Sequence, residues 1–305
     1  VHGVEGYAGS ALQQLWLAEY AATLPPQAGV LLVHAVNPYG FAHDRRANEH
    51  NVDLNRNGLQ QFPGPANPAY APLDRWLNPP SAPDRFDGYW LSGLAYLLRH
   101  GRARLTQAIA EGQYAFPRGL FYGGEGRQES LRILAEVCAA PELQAARTVL
   151  HIDLHTGLGQ YAQYQFLLDA PPSAPAFRAF SQWFGAARVR SDHPQSAAHY
   201  AAHGTLTQFA MATFPTARVL AATLEFGTEG PAAILKALRA ENRWHHYGPR
   251  DHPAAIASKA RLREALFPSN PAWRAAVIAH GREIFSRLRQ ALDSGLVEDG
   301  ASTGR

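Results

Sequence analysis

An α/β fold is predicted by three observations. Short apolar runs at 29–36, 148–155 and 219–226 are rich in Val, Leu and Ile, and each stops at a polar or glycine-containing loop. Segments of helical period lie between them. The chain has 305 residues, 46% apolar and 17% charged, which is enough to bury the core of one large domain. The polar end of a buried strand is where α/β proteins keep their sites. The argument for function therefore begins at those ends.

Residues 10–24 carry Leu12, Leu15, Trp16 and Leu17 at helical spacing, and Pro25-Pro26 ends that helix. The run 29–36 suits a buried parallel strand, closed by the turn Asn37-Pro38-Tyr39-Gly40. Residues 62–83 are rich in Pro, Asn and Ala and read as a long ordered loop. A helix is predicted over 89–111, with Leu91, Leu94, Leu97, Leu98, Leu105 and Ile109 in period, and another over 129–139. The aromatic, glycine-rich stretch 114–127 between them reads as a loop on the substrate side; it lacks the Lys-Ser/Thr of a nucleotide loop. Further on come a strand at 164–168, a helix at 177–184, a helix over 236–243 that ends near His245-His246, and an irregular stretch at 249–270 with a short helical patch. Pro271 opens a last amphipathic helix, with Asn270 as its cap and Trp273, Val277, Ile284, Leu288 and Leu292 as its core stripe. The expected organisation is one domain over 1–295, with site motifs in 1–230, a helical part in 231–295 and a frayed tail at 296–305.

Composition narrows the function. The formal charge of +3 comes almost wholly from Arg, since Lys occurs only at 236 and 259, and no basic run argues for nucleic acid. The single Cys138 excludes an internal disulfide and a Cys-rich zinc site, and reads as buried packing. No apolar run is long enough to span a membrane, so no membrane partner is expected. The lack of a signal peptide suggests a cytoplasmic protein, although a preceding segment is also expected, because the chain opens directly on a motif.

That motif is His2-Gly3-Val4-Glu5-Gly6. It offers an imidazole and a carboxylate, both common zinc ligands, in a loop that glycine lets turn sharply. Residues 45–57 gather three Arg, one Asp, one Glu and four Asn. Val52 and Leu54 alternate with Asp53 and Asn55, so the polar side chains, with Arg56, lie along one side, a set suited to a substrate carboxylate. Alternation in 148–155 puts His151, Asp153 and His155 on one strand face. Three polar groups there are costly unless paired, and a metal with a supporting acid would satisfy them; His155 is the metal candidate, Asp153 the supporting acid and His151 structural. Glu225 ends an otherwise apolar strand and reads as a general base. His193, His199, Tyr200 and His203 cluster in 191–203, where Tyr200 and His203 are candidates for touching substrate.

Taken in order, His2-Gly3-Val4-Glu5-Gly6, Asn37-Pro38-Tyr39-Gly40, Arg46 to Arg56 with Asn48, Asp53, Leu54 and Asn55, then Asp153-Leu154-His155 and Thr223-Leu224-Glu225 resemble the signature of the zinc carboxypeptidase family. More narrowly, the chain resembles its uncharacterised bacterial branch, a domain of unknown function, over roughly 1–230. The resemblance implies a mixed, mainly parallel twisted sheet of about eight strands with helices on both faces, here lacking the two strands that come before the H-x-x-E loop. It implies one zinc per chain held by His2, Glu5 and His155, Glu225 as the base, Arg46 as the oxyanion partner, and Asn55 and Arg56 as holders of a terminal carboxylate. Tyr200 is the nearest match to the family's mobile substrate-contacting tyrosine. The implied function is removal of a C-terminal residue from a peptide. Two alternatives stand beside it: a deacylase or amidase acting on an N-acyl amino acid or cell-wall peptide, and a non-catalytic binding module that retains the fold.

Overall fold

A computed structural model describes residues 1–84, 87–192 and 202–293. Its centre is an open four-stranded mixed sheet of β1 (Thr148–Tyr161), β2 (Tyr164–Leu168), β3 (Val189–Ser191) and β4 (Arg218–Gly227), in the spatial order β1-β4-β2-β3. β1 runs parallel to β4 and β2 parallel to β3, while β2 and β4 are antiparallel. The helices around it are α1 (Gly6–Glu19), α2 (Pro38–Ala42), α3 (Ala71–Leu77), α4 (Tyr89–His100), α5 (Arg102–Ala110), α6 (Glu129–Cys138), α7 (Pro141–Gln144), α8 (Pro175–Phe184), α9 (Leu206–Thr213), α10 (Pro231–Tyr247), α11 (Pro253–Leu266) and α12 (Pro271–Asp293). Among the described residues no helix is long and apolar enough to cross a membrane.

The strand period divides the two faces of the sheet. Leu150, Ile152 and Leu154 of β1, with Leu220, Ala222, Leu224 and Phe226 of β4, pack on one side against α1, α8 and α12, where Leu12, Phe180, Trp273 and Ile284 are buried. The residues between them in sequence face the other way: Asp153 and His155 from β1 and Glu225 from β4, all buried. On that side a second apolar cluster of Val4, Tyr70, Leu73, Leu77, Leu120, Phe121, Leu238 and Leu262 ties α3, α10 and α11 to the opening loop. Cys138 is buried, as its apolar setting predicts.

Several expectations are revised. The run 29–36 forms no strand. Its Val30 to Val36 line the same cleft of about 1480 Å³ as Val149 to Asp153 of β1, and among the described residues the sheet has four strands, fewer than the eight, less the two absent ones, that the resemblance implies. A strand is defined by its neighbour, and apolar composition alone does not supply one. The predicted helix 89–111 is two helices, divided at Gly101, whose φ of +79° breaks the turn. The stretch 249–270, expected to be irregular, is mostly α11. The loop 62–83 contains α3, with Leu73 and Leu77 buried, and the turn expected at 37–40 closes as the short α2 over Pro38–Ala42. The strand at 148 runs past Gly157 to Tyr161.

Candidate metal centre

The opening loop is held by close backbone packing. A Cβ on Gly3 would lie 2.0 Å from the carbonyl carbon of Gly40, so only glycine lets the His2–Glu5 turn approach α2. Asn37 caps α2 by accepting from the Gly40 amide at 2.8 Å and donates its own amide to the Arg46 carbonyl at 2.9 Å. The Val4 amide donates to the Arg45 carbonyl at 3.0 Å. Arg45 is buried and held from α10 and the 45–57 loop: its Nε donates to Glu241 at 2.9 Å and its Nη2 to Asn51 and Asn242 at 3.0 and 3.2 Å. Two separate sequence motifs, H-G-x-E-G and N-P-x-G, are thus one packed unit that presents His2, Glu5 and Arg46 to the end of β1.

His2, Glu5 and His155 are all buried, and one potential ligand atom from each lies within 4.8 Å of the others. The imidazole orientations are fixed from behind. His2 Nε2 pairs with Asp53 Oδ1 at 3.0 Å, and its Nδ1 faces Glu5 Oε1 at 2.9 Å. His155 Nε2 pairs with Asp153 Oδ2 at 2.5 Å, and its Nδ1 faces Glu5 Oε2 at 3.0 Å. Each ring sets Nε2 on a carboxylate of its own and Nδ1 on the shared Glu5, the carboxylate-histidine arrangement that metal-binding imidazoles use. Two nitrogens and one carboxylate could hold a metal ion and would leave a coordination position open on it.

The buried carboxylates and imidazoles of the cluster shift one another's protonation, and a bound cation would take the place of the imidazole protons. Burial alone would raise the Glu5 carboxyl, but the His2 charge and the hydrogen bonds from both imidazoles hold it well below the ordinary range. Burial also works against an anionic Asp53, and the Arg46 and His2 charges outweigh it. His155 is pushed up to about 10, because Asp153 and Glu5 overcome its desolvation.

Register pairs His155 directly with Glu225 across β1 and β4, so both point to the same side. Glu225 is pushed up to about 7, first by burial and then by the nearby Glu5, against the His155 charge and the hydrogen bond that its Oε2 accepts from the Leu158 amide at 3.2 Å. Arg46 donates through Nε to Asp53 Oδ2 at 2.9 Å and through Nη1 to Glu5 Oε1 at 3.4 Å, and lies 5.3 Å from the centre of the Phe121 ring. Burial disfavours its charge, but Asp53 and Glu5 hold its pKa above the ordinary value.

Asn55 and Arg56 follow Asp53 at the edge of this cluster. The Asn55 side-chain oxygen accepts from the Leu206 amide at 2.8 Å. The Arg56 guanidinium donates to the Asn55 and Ala110 carbonyls at 2.6 and 2.7 Å, while its buried Nε has no partner. The glycine-rich loop lies beside them: the Tyr122 carbonyl accepts from the Asp53 amide at 2.7 Å, and Asn57 donates to Gly123 and Gly126. Tyr200 and the histidines at 193 and 199 lie outside the described residues. His203 faces Glu111 at 3.7 Å. Sequence reasoning missed two residues: Asp53 as the partner of His2, and Arg45 as the anchor beneath the loop.

Residues 1–280 match a family described as "Protein of unknown function (DUF2817)". The chain belongs to that family. No curated protein and no solved structure matches it. The arrangement of His2, Glu5 and His155 in this DUF2817 chain thus stands on its own geometry.

Proposed function

We propose that this protein is a zinc-dependent hydrolase that cleaves an amide bond, with removal of a C-terminal residue from a peptide as the leading case. The observation that carries the reading is the convergence of His2, Glu5 and His155, each imidazole backed by its own carboxylate, beside a buried Glu225 on the neighbouring strand. It also agrees with the resemblance of the ordered motifs to zinc carboxypeptidases. Zinc held by His2, Glu5 and His155 would polarise a scissile carbonyl and acidify water.

The chain's own groups supply the rest. Glu225, with a pKa of about 7, can take a proton from the attacking water and return it to the leaving amine near neutral pH. Arg46 stays charged and meets the negative oxygen that develops on the carbonyl. Arg56 brings a guanidinium and Asn55 an amide to the edge of the site; a substrate carboxylate would exchange for the carbonyl contacts Arg56 now makes. A deacylase that releases a free amino acid would use the same groups.

Zinc-loaded protein should release the terminal residue from a peptide with a free C-terminus and leave the C-terminal amide intact. A preference for N-acyl amino acids would assign the deacylase reading. Glu225→Gln should keep zinc and lower kcat by more than about 100-fold. Near-normal turnover in that variant would remove Glu225 from the mechanism.

A further inference from the structure

Helix α4 buries only a narrow side. Tyr89 and Gly93 are covered, with Gly93 packed against the Trp76 ring. The adjoining side carries Trp90, Leu91, Leu94, Leu97 and Leu98, which are 60, 77, 54, 37 and 80% exposed. At helical spacing these five fall within an arc of about 120°. A monomer rarely leaves so continuous an apolar stripe in water unless something covers it.

Along α4 and α5 the charge has one sign. From Gly88 to Ala110 there is no Asp or Glu, and Arg99, Arg102 and Arg104 are exposed at the turn from α4 into α5. The Lys236 ammonium lies 5.6 Å from the centre of the Trp90 ring, so a cation also stands at the other end. Asp87, just before α4, is neutralised by ion pairs to Arg239 and Arg243. Glu111, just after α5, faces His203 at 3.7 Å.

We propose that α4 is a docking surface for an anionic lipid membrane, with its Trp90–Leu98 stripe seated at the boundary between headgroups and acyl chains and the three arginines and Lys236 by the lipid phosphates. A short helix with Trp and Leu on one side and cations at its margins has the form of an interfacial helix. The cations favour this partner over a second copy of the chain, since two such faces would bring like charges together. The inference is independent of the metal centre. It departs from the expectation of no membrane partner, which considered only segments that cross a bilayer.

Flotation of the purified protein with vesicles of mixed phosphatidylcholine and phosphatidylglycerol tests it, with phosphatidylcholine vesicles alongside. The protein should float with the anionic vesicles at low salt and much less with the neutral ones. The triple variant L91S/L94S/L98S removes only exposed side chains, and R99Q/R102Q/R104Q removes only exposed charge. With the fold checked by circular dichroism, each should cut the bound fraction by at least about tenfold. Absence of flotation overturns the proposal, as does flotation that neither variant weakens. A lipid-free dimer that L91S/L94S/L98S disperses, with no vesicle binding, would assign the stripe to a second copy and overturn it too.

Discussion

Asp53 offers the sharpest test of how the metal ligands are oriented, because it touches none of the space an ion would fill. Its Oδ1 accepts from His2 Nε2 and from the Asn55 amide, both at 3.0 Å, and its Oδ2 accepts from Arg46 Nε at 2.9 Å. In Asp53→Asn the side-chain oxygen will stay with the two donors on the Oδ1 side, so the new NH2 meets Arg46. The bond to His2 survives but loses its charge, and a charge-assisted hydrogen bond is roughly twice as strong as a neutral one. The loss is about 1–1.5 kcal/mol, or about tenfold in zinc affinity. Asp53→Ala releases the ring altogether and should cost about 10–100-fold. Arg46, freed of its main partner, is then left 3.4 Å from Glu5 and competes with a cation for that carboxylate. Competition with a chromophoric chelator measures both constants. The reasoning is refuted if folded Asp53→Ala binds zinc within about twofold of wild type.

Arg56→Ala should raise KM for substrates with a free carboxylate and lower stability by about 1–3 kcal/mol, because the Asn55 and Ala110 carbonyls lose their donor; an unchanged KM removes its anchoring role. Gly3→Ala places a methyl 2.0 Å from the Gly40 backbone, so it should displace the His2–Glu5 turn and abolish zinc uptake even where the protein still folds; full zinc content would refute the close-packing argument. His245 and His246 are pushed down to about 3 and 4, first by burial and then by the Arg45 charge. Their folded-state pKa values lie below those of the unfolded chain, so their contribution is fully present above about pH 6.5 and fades as pH falls towards 4. Their partial exposure limits the combined effect to roughly 2 kcal/mol. Urea unfolding at pH 7.5 and pH 5 should show that loss in wild type and a smaller one in H245Q/H246Q; equal pH dependence in both would exclude these histidines as its source.

The parts of the site that were legible in the sequence are those written in short local patterns. In β1, alternation put Asp153 and His155 on one face before any pairing was known, and in β4 Glu225 stood out as the carboxylate that ends an otherwise apolar run. The parallel register that sets His155 beside Glu225 could not be read there, because it depends on how two segments 70 residues apart in the chain align. Asp53 shows the same limit: its neighbours suggested a polar edge, yet its partner His2 lies 51 residues away. Arg45 and Arg46 are adjacent and chemically alike, and only packing sends one beneath α10 and the other into the site. α11 was read only as a short helical patch because its covered side includes small Ala255 and Ala265, which leave little apolar stripe to detect. The run 29–36 failed in the opposite sense: it has strand composition without a bonded neighbour.

The central claim is that His2, Glu5 and His155 hold one zinc ion, and metal content by mass spectrometry tests it most directly. Purified wild type loaded with zinc and desalted should retain about one zinc per chain, and His155→Ala, folded by circular dichroism, should retain little. A folded wild type that retains no zinc, or a His155→Ala variant that retains as much as wild type, would contradict the account.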